Sequence, residues 1–227
     1  MRKVLVIVFI LTLATGAYAQ NAFFPTKAGM QLTYVANDAK GKASGYTLLT
    51  VKDVAGSGEN MTISYVGESL DKNRKSSKPP VEMSYQVIIK DGVMILDMNQ
   101  MFSSQQLKDV NVEITGIPVE IPNNLQPGQK LKDANVTMKL DMVIMKMTTE
   151  IKITDGECLA IEDVTVPAGT FTSHKITQTV STTVMKKTVT AKTITWYAPG
   201  IGTVKTETYD SKDKLTGSTE LIEVKGN

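Results

Sequence analysis

One cysteine, Cys158, one histidine, His174, and one tryptophan, Trp196, stand in the 227 residues of this chain. A lone thiol cannot close a disulfide within the chain, so stability has to come from strand pairing and burial. Between Glu157 and Leu159 in a strand-like stretch, Cys158 reads as a buried, inert thiol. A zinc site needs more Cys and His than this, and no acidic loop has the calcium-binding pattern, so no metal and no cofactor is expected. His174 is the only histidine available as a base for a hydrolytic triad. It falls on the apolar face of a predicted strand, which suits a structural role. There is no Gly-x-Ser-x-Gly elbow and no glycine-rich phosphate loop ahead of a helix. Residues 150–162 show no distinctive pairing of carboxylates of the kind glycoside hydrolysis uses. No catalytic residue is nominated, and the chain is read as a non-enzyme.

Charge of one sign is also missing. The sequence carries 25 basic and 23 acidic residues, and without Arg2 and Lys3 the balance is 23 to 23. Duplex binding draws on a basic excess, so nucleic acid is excluded as an expected partner. Long apolar runs are confined to residues 4–14, broken by Thr12, and this falls short of the ~20 residues a spanning helix needs. With Arg2 and Lys3 before it and Ala17-Tyr18-Ala19 after it, that run has the three-part form of a secretory signal. The reading is a signal peptide over residues 1–19 and a mature domain over 20–227, with no membrane span after processing. No cysteine sits just after the cleavage site, which argues against a lipid anchor.

What is present is β-strand chemistry. Turn signals recur at short intervals, and between them lie runs rich in Thr, Val, Ile, Tyr and Met. Strands are predicted over 31–36, 46–54 and 61–66. A hairpin over 83–90 and 93–97 turns on Asp91-Gly92, a dipeptide that favours the tight primed turn. Residues 71–80 read as an exposed basic loop closed by Pro79-Pro80. A short helix is predicted over 98–109, from the spacing of Met98, Met101, Phe102 and Gln105. Pro118, Pro122 and Pro127 lack the ladder donor, so 117–130 is a possible boundary between two halves or two sheets. Val136, Met138, Leu140, Met142 and Ile144 alternate with polar residues, and the phase flips at Met145, which calls for a bulge or a tight reversal near 143–146. In this reading Met138 and Met142 share one face while Met145 and Met147 share the other. Further strands follow over 174–184, 188–197, 202–209 and 218–224. Tyr34 before Lys-Gly-Lys and Tyr209 before Lys-Asp-Lys form a faint echo, read as two similar hairpins. The fold class expected is all-β: one large antiparallel curled or barrel-like sheet with one short helix.

Three stretches together resemble the TapB-like exported proteins of diderm bacteria and a related domain-of-unknown-function family (DUF3108-like). They are Phe23-Phe24-Pro25 with Gly29 and Tyr34, Val166-Pro167-Ala168-Gly169-Thr170-Phe171 with Lys175, and Trp196-Tyr197-Ala198-Pro199-Gly200-Ile201-Gly202 with Val204-Lys205. The resemblance spans Phe23 to about Leu221. It implies a periplasmic or extracellular β-sheet protein, with a family name that points to association with a tetratricopeptide-repeat protein. It assigns no residue a role.

The functional expectation is a hydrophobic ligand such as a lipid held in the curled sheet, with Met138, Leu140, Met142, Ile144, Trp196 and Tyr197 as candidate ligand-binding residues. The alternative is an envelope protein-interaction factor with an exposed apolar or aromatic patch.

Overall fold

The computed structural model describes residues 22–76, 78, 80, 82–97, 111–142 and 145–226. The expected signal peptide, the helix expected over 98–109 and the candidate Ile144 lie outside the described residues. Thirteen strands are present: β1 (Gln31–Asp38), β2 (Ala43–Ser57), β3 (Asn60–Leu70), β4 (Glu82–Lys90), β5 (Val93–Asp97), β6 (Asn111–Ile117), β7 (Glu120–Pro122), β8 (Ala134–Met142), β9 (Met145–Val166), β10 (Gly169–Val184), β11 (Lys187–Ala198), β12 (Gly202–Tyr209) and β13 (Leu215–Lys225). They form one sheet in the order β6-β8-β9-β10-β11-β12-β13-β1-β2-β3-β4-β5-β7. Neighbours in it run antiparallel, and no helix occurs among the described residues.

The two outermost strands, β6 and β7, are consecutive in the chain, separated only by Pro118 and Val119. A flat thirteen-stranded sheet would hold its edges roughly 58 Å apart at about 4.8 Å per spacing. Three residue steps from Ile117 to Glu120 span at most about 11 Å. The sheet therefore has to curl until its edges nearly meet. The run 111–122 stitches them, since its first part pairs with β8 and its last part with β5. Pro118 stands where the partner changes, and a residue without an N–H suits the point where a ladder breaks. The run read as a possible boundary between two sheets ties the single sheet to itself. Closure is covalent at this seam and is not completed by a β6–β7 ladder.

Alternation drives the curl. Cross-strand rows such as Ile63–Val87–Leu96 and Met61–Ile89–Met94–Ile121 run across the interior face. Leu32, Ile63, Val204 and Leu221 are fully buried there. At the phase flip the chain makes a tight reversal, with Met142 opposite Met145. Leu140 stands opposite Met147 and Met138 opposite Thr149. The expectation that Met147 faces away from Met138 is thus corrected: a hairpin, unlike a bulge, returns the apolar set to the same face.

Three hairpin loops share one construction. The side chains of Asp38, Asp71 and Asp210 each accept backbone N–H bonds from the residues two and four positions on. Each loop places a positive φ three positions on, at Gly41, Arg74 and Asp213. The faint echo between the Tyr34 and Tyr209 regions is this shared loop, and the basic 71–80 segment carries a third copy.

The interior holds two apolar clusters. The larger gathers Leu32, Val51, Ile63, Val87, Val204 and Leu221. The smaller gathers Phe23, Ile121, Leu125, Leu131, Cys158 and Ile176. Its loop from β7 is tied to β9 by Gly128 N–H to the Cys158 carbonyl at 2.7 Å and Leu131 N–H to the Gly156 carbonyl at 2.8 Å. Gly156 permits this approach, for a Cβ there would lie 2.8 Å from the Leu131 Cβ.

Candidate functional site

Residues 22–25 cross the interior between the two clusters. Gly200 N–H donates to the Ala22 carbonyl at 2.7 Å and fixes the segment on the β11–β12 turn. Neighbouring rings then go opposite ways. Phe23 meets His174 edge-on at 4.8 Å and Tyr197 at 5.9 Å, while Phe24 lies 4.8 Å from Tyr65. A Cβ on Gly202 would come within 3.2 Å of the Phe23 carbonyl oxygen, so β12 approaches this segment closely because glycine is there.

Phe24 and Pro25 form one wall of a cavity of about 310 Å³, with Leu32, Tyr34, Leu49 and Tyr65 around it. A second cavity of about 280 Å³ continues past the same Tyr34, Thr47, Leu49 and Tyr65 toward Met83 and Tyr85. Register explains the space. Leu49, Gly67 and Met83 form one row on the inner face, and Val51, Tyr65 and Tyr85 the next. Gly67 leaves a gap in its row, and the Tyr85 ring lies over it, 3.2 Å from where a Cβ would stand. Tyr85 stacks on Tyr65 at 5.0 Å and 13°, and its hydroxyl donates to the Met83 sulfur at 3.2 Å.

Among the described residues, none of the side chains lining either cavity is charged. Its polar groups are hydroxyls. Tyr34 donates to the Thr203 carbonyl at 3.0 Å. Among the described residues nothing takes the hydroxyl of Tyr65, a residue only 8% exposed. Burial pushes both phenols well above the usual tyrosine value, and neighbouring tyrosine hydroxyls add to this. Burial pushes Tyr197 up to about 12, against hydrogen bonds from the Thr203 and Thr195 side chains. At neutral pH all three are neutral donors.

The described residues nominated from sequence lie elsewhere. Met138 and Leu140 are half-buried on β8, opposite Ile114 and Val112, and Met142 ends that strand. Met138, Leu140, Trp196 and Tyr197 line neither cavity. Trp196 is 6% exposed; its indole N–H donates to Glu162 at 2.7 Å, with the Lys175 and Lys205 ammonium groups 5.1 and 5.5 Å from its ring. Hydrogen bonding from Trp196, with help from Lys175, holds the Glu162 carboxyl below its usual range. Tyr197 packs with Phe23 in the smaller cluster, so the pair makes no joint stacking platform. Sequence reasoning missed Phe24, Tyr34, Leu49, Tyr65 and Tyr85. The available signal was Met61, Ile63 and Tyr65 at period two with Gly67 continuing the phase.

His174 sits with Phe23, and burial lowers its pKa against the backbone of Leu125 and Tyr197. Its Nδ1 has no hydrogen-bond partner among the described residues. Cys158 is fully buried, its Sγ 3.8 Å from the Ala160 carbonyl, and burial pushes the thiol up. Among the described residues no group of three or more His, Cys, Asp or Glu side chains could hold a metal ion.

This geometry defines an all-antiparallel curled sheet stitched at its edges around an aromatic cavity. The chain belongs to the DUF3108-like family, whose model matches residues 27–221. It shares its fold with a Bacteroides fragilis protein described as exported and as having a YmcC-like fold, with TM-score 0.71 and 23% identity over 90% of this chain and 99% of that one. A Parabacteroides distasonis protein described as a lipoprotein is similar to the same degree, with TM-score 0.71 and 24% identity over 90% of this chain and 98% of that one. No curated protein matches the chain.

Proposed function

We propose that this is an exported, non-catalytic protein that holds a hydrophobic small molecule, such as a lipid, inside its curled sheet. The observation that carries this reading is the pair of contiguous cavities that share Tyr34, Thr47, Leu49 and Tyr65. Each is about the smallest size typical of a small-molecule site, roughly 300 Å³, and together they offer an elongated, aromatic-walled space. Export rests on the signal-like residues 1–19 and on what the two solved relatives are described as being. The processed chain would then work in the periplasm or outside the cell.

The test is native mass spectrometry of protein purified from its own envelope, followed by solvent extraction. A stoichiometric lipid is expected with the wild type and is lost in Leu49→Trp, which puts an indole into the wall common to both cavities. Protein that carries no extractable lipid and binds none when offered it refutes the reading.

A second reading is an envelope interaction factor, with a tetratricopeptide-repeat protein as the partner implied by family resemblance. It is favoured by apolar side chains exposed at the β10–β11 hairpin, Met185 at 70% and Val189 at 59%. A stoichiometric protein in the same spectra, lost in Met185→Glu/Val189→Glu, supports this reading over the first.

A further inference from the structure

The chemistry of the cavity wall narrows what it can hold. Buried charge is costly unless paired, and among the described residues the wall offers neither a cation for a carboxylate or phosphate nor an anion for an amine. Lys175 and Lys205, the cations beside the conspicuous Trp196, are ion-paired with Glu162 and Glu207 at 3.3 and 2.9 Å and line neither cavity. The wall can still donate hydrogen bonds. The Tyr34 hydroxyl is committed to the Thr203 carbonyl, whereas that of Tyr65 has no partner among the described residues. Tyr65 is more than nine-tenths buried and lines both cavities, between Phe24 on one side and Tyr85 on the other. That hydroxyl is not among the buried unpartnered polar atoms, so it opens onto the cavity and is free to donate to an acceptor brought by whatever fills the space.

We infer that the ligand is an uncharged lipid with a carbonyl, ester or hydroxyl oxygen that accepts a hydrogen bond from Tyr65, and that lipids with ionised heads are rejected. The inference rests on the binding reading above and deepens it. Tyr65 fixes the depth of the acceptor oxygen, and Phe24, Leu49 and Tyr85 flank the apolar part. The raised phenol pKa keeps this donor protonated throughout the physiological range.

The experiment uses delipidated full-length mature protein and two probes with one acyl chain, 1-oleoylglycerol and oleate, titrated at pH 8 and again at pH 4. At pH 8 the glyceride is expected to bind more than about tenfold tighter than the ionised oleate. At pH 4, where a carboxyl of ordinary pKa is largely neutral, the gap should close. Tyr65→Phe is expected to weaken glyceride binding roughly 2- to 10-fold, the range of one neutral hydrogen bond, with no effect on hexadecane binding. Its thermal midpoint should match the wild type, because no internal bond is removed. Oleate binding as tightly as the glyceride at pH 8, or an unchanged glyceride affinity in Tyr65→Phe, overturns the inference while leaving the cavity a lipid site. Failure of the glyceride, oleate and hexadecane alike overturns the binding reading as well.

Discussion

Gly116 stands one residue before the end of β6, at the seam where the curled sheet is stitched, with φ of 115°. A Cβ built there would lie 1.9 Å from the Asn135 carbonyl oxygen and 3.0 Å from its carbon. Both are backbone atoms of the paired strand β8, so no side-chain rotation relieves the contact. Gly116→Ala must either move β6 away from β8 or change the backbone angle that sets up Pro118. A residue held in so sparsely populated a region costs about 1–3 kcal/mol by itself, and the displaced strand adds to that. The expected loss is about 2–4 kcal/mol in urea unfolding, within the range of single changes with a named steric cause. For a domain of this size that lowers the thermal midpoint by roughly 4–16 °C. Gly45→Ala is the matched control: nothing lies within 4 Å of its Cβ and its φ is unremarkable. It should be neutral or more stable by about 0.5–1 kcal/mol. A Gly116→Ala protein within about 0.5 kcal/mol of wild type, the range of an ordinary surface change, would refute the steric reading of the seam.

Other perturbations follow from the same structure. Tyr34, Tyr65 and Tyr197 have folded-state pKa values above the ordinary 10.0, so their contribution is fully present below pH 10 and is lost as pH rises beyond it. For Tyr197, pushed to about 12, full ionisation removes about 3 kcal/mol at roughly 1.4 kcal/mol per unit. Tyrosinate absorbance should therefore rise together with loss of the β-sheet circular dichroism signal, and ionisation near pH 10 with the fold intact contradicts it. The β10–β11 turn places Met185 and Lys186 at φ of 49° and 71°, a conformation that favours Asn-Gly. Met185→Asn/Lys186→Gly should raise stability by about 1 kcal/mol in calorimetry, and a lower midpoint argues against this turn type. Leu221→Ala, at a fully buried site, should cost about 2–5 kcal/mol in denaturant unfolding, and a loss below 1 would mean the larger cluster repacks freely.

Much of the fold was legible because period two is a local property. Asp91-Gly92 sits between β4 and β5 at the boundaries its turn chemistry requires, and the strands over 31–36 and 61–66 differ from β1 and β3 only in length. The role of Pro118 was not legible. A proline announces a break in a ladder, but its sequence cannot say that the chain re-pairs with the opposite edge two residues later. The site was hidden for a similar reason. Tyr34, Tyr65 and Tyr85 come from three strands, and only register brings them together, while the methionines of β8 and β9 drew attention by being close in sequence. The missing side chain at Gly67 is part of the cavity, and an absence has no periodicity to detect.

Strands β1 and β13 lie side by side in the middle of the sheet, although Thr33 and Glu223 are 190 positions apart. A polypeptide delivered with β1 ahead must leave that strand half-paired while ten others assemble, and long-separated pairings of this kind are the slow ones. Until β13 slots between β12 and β1, the wall beneath Leu32 and Tyr34 stands open along its length. For the ligand proposed above, its arrival and that of the final strand would then share one interval, and a passenger present during folding would meet a wider doorway than the finished molecule has.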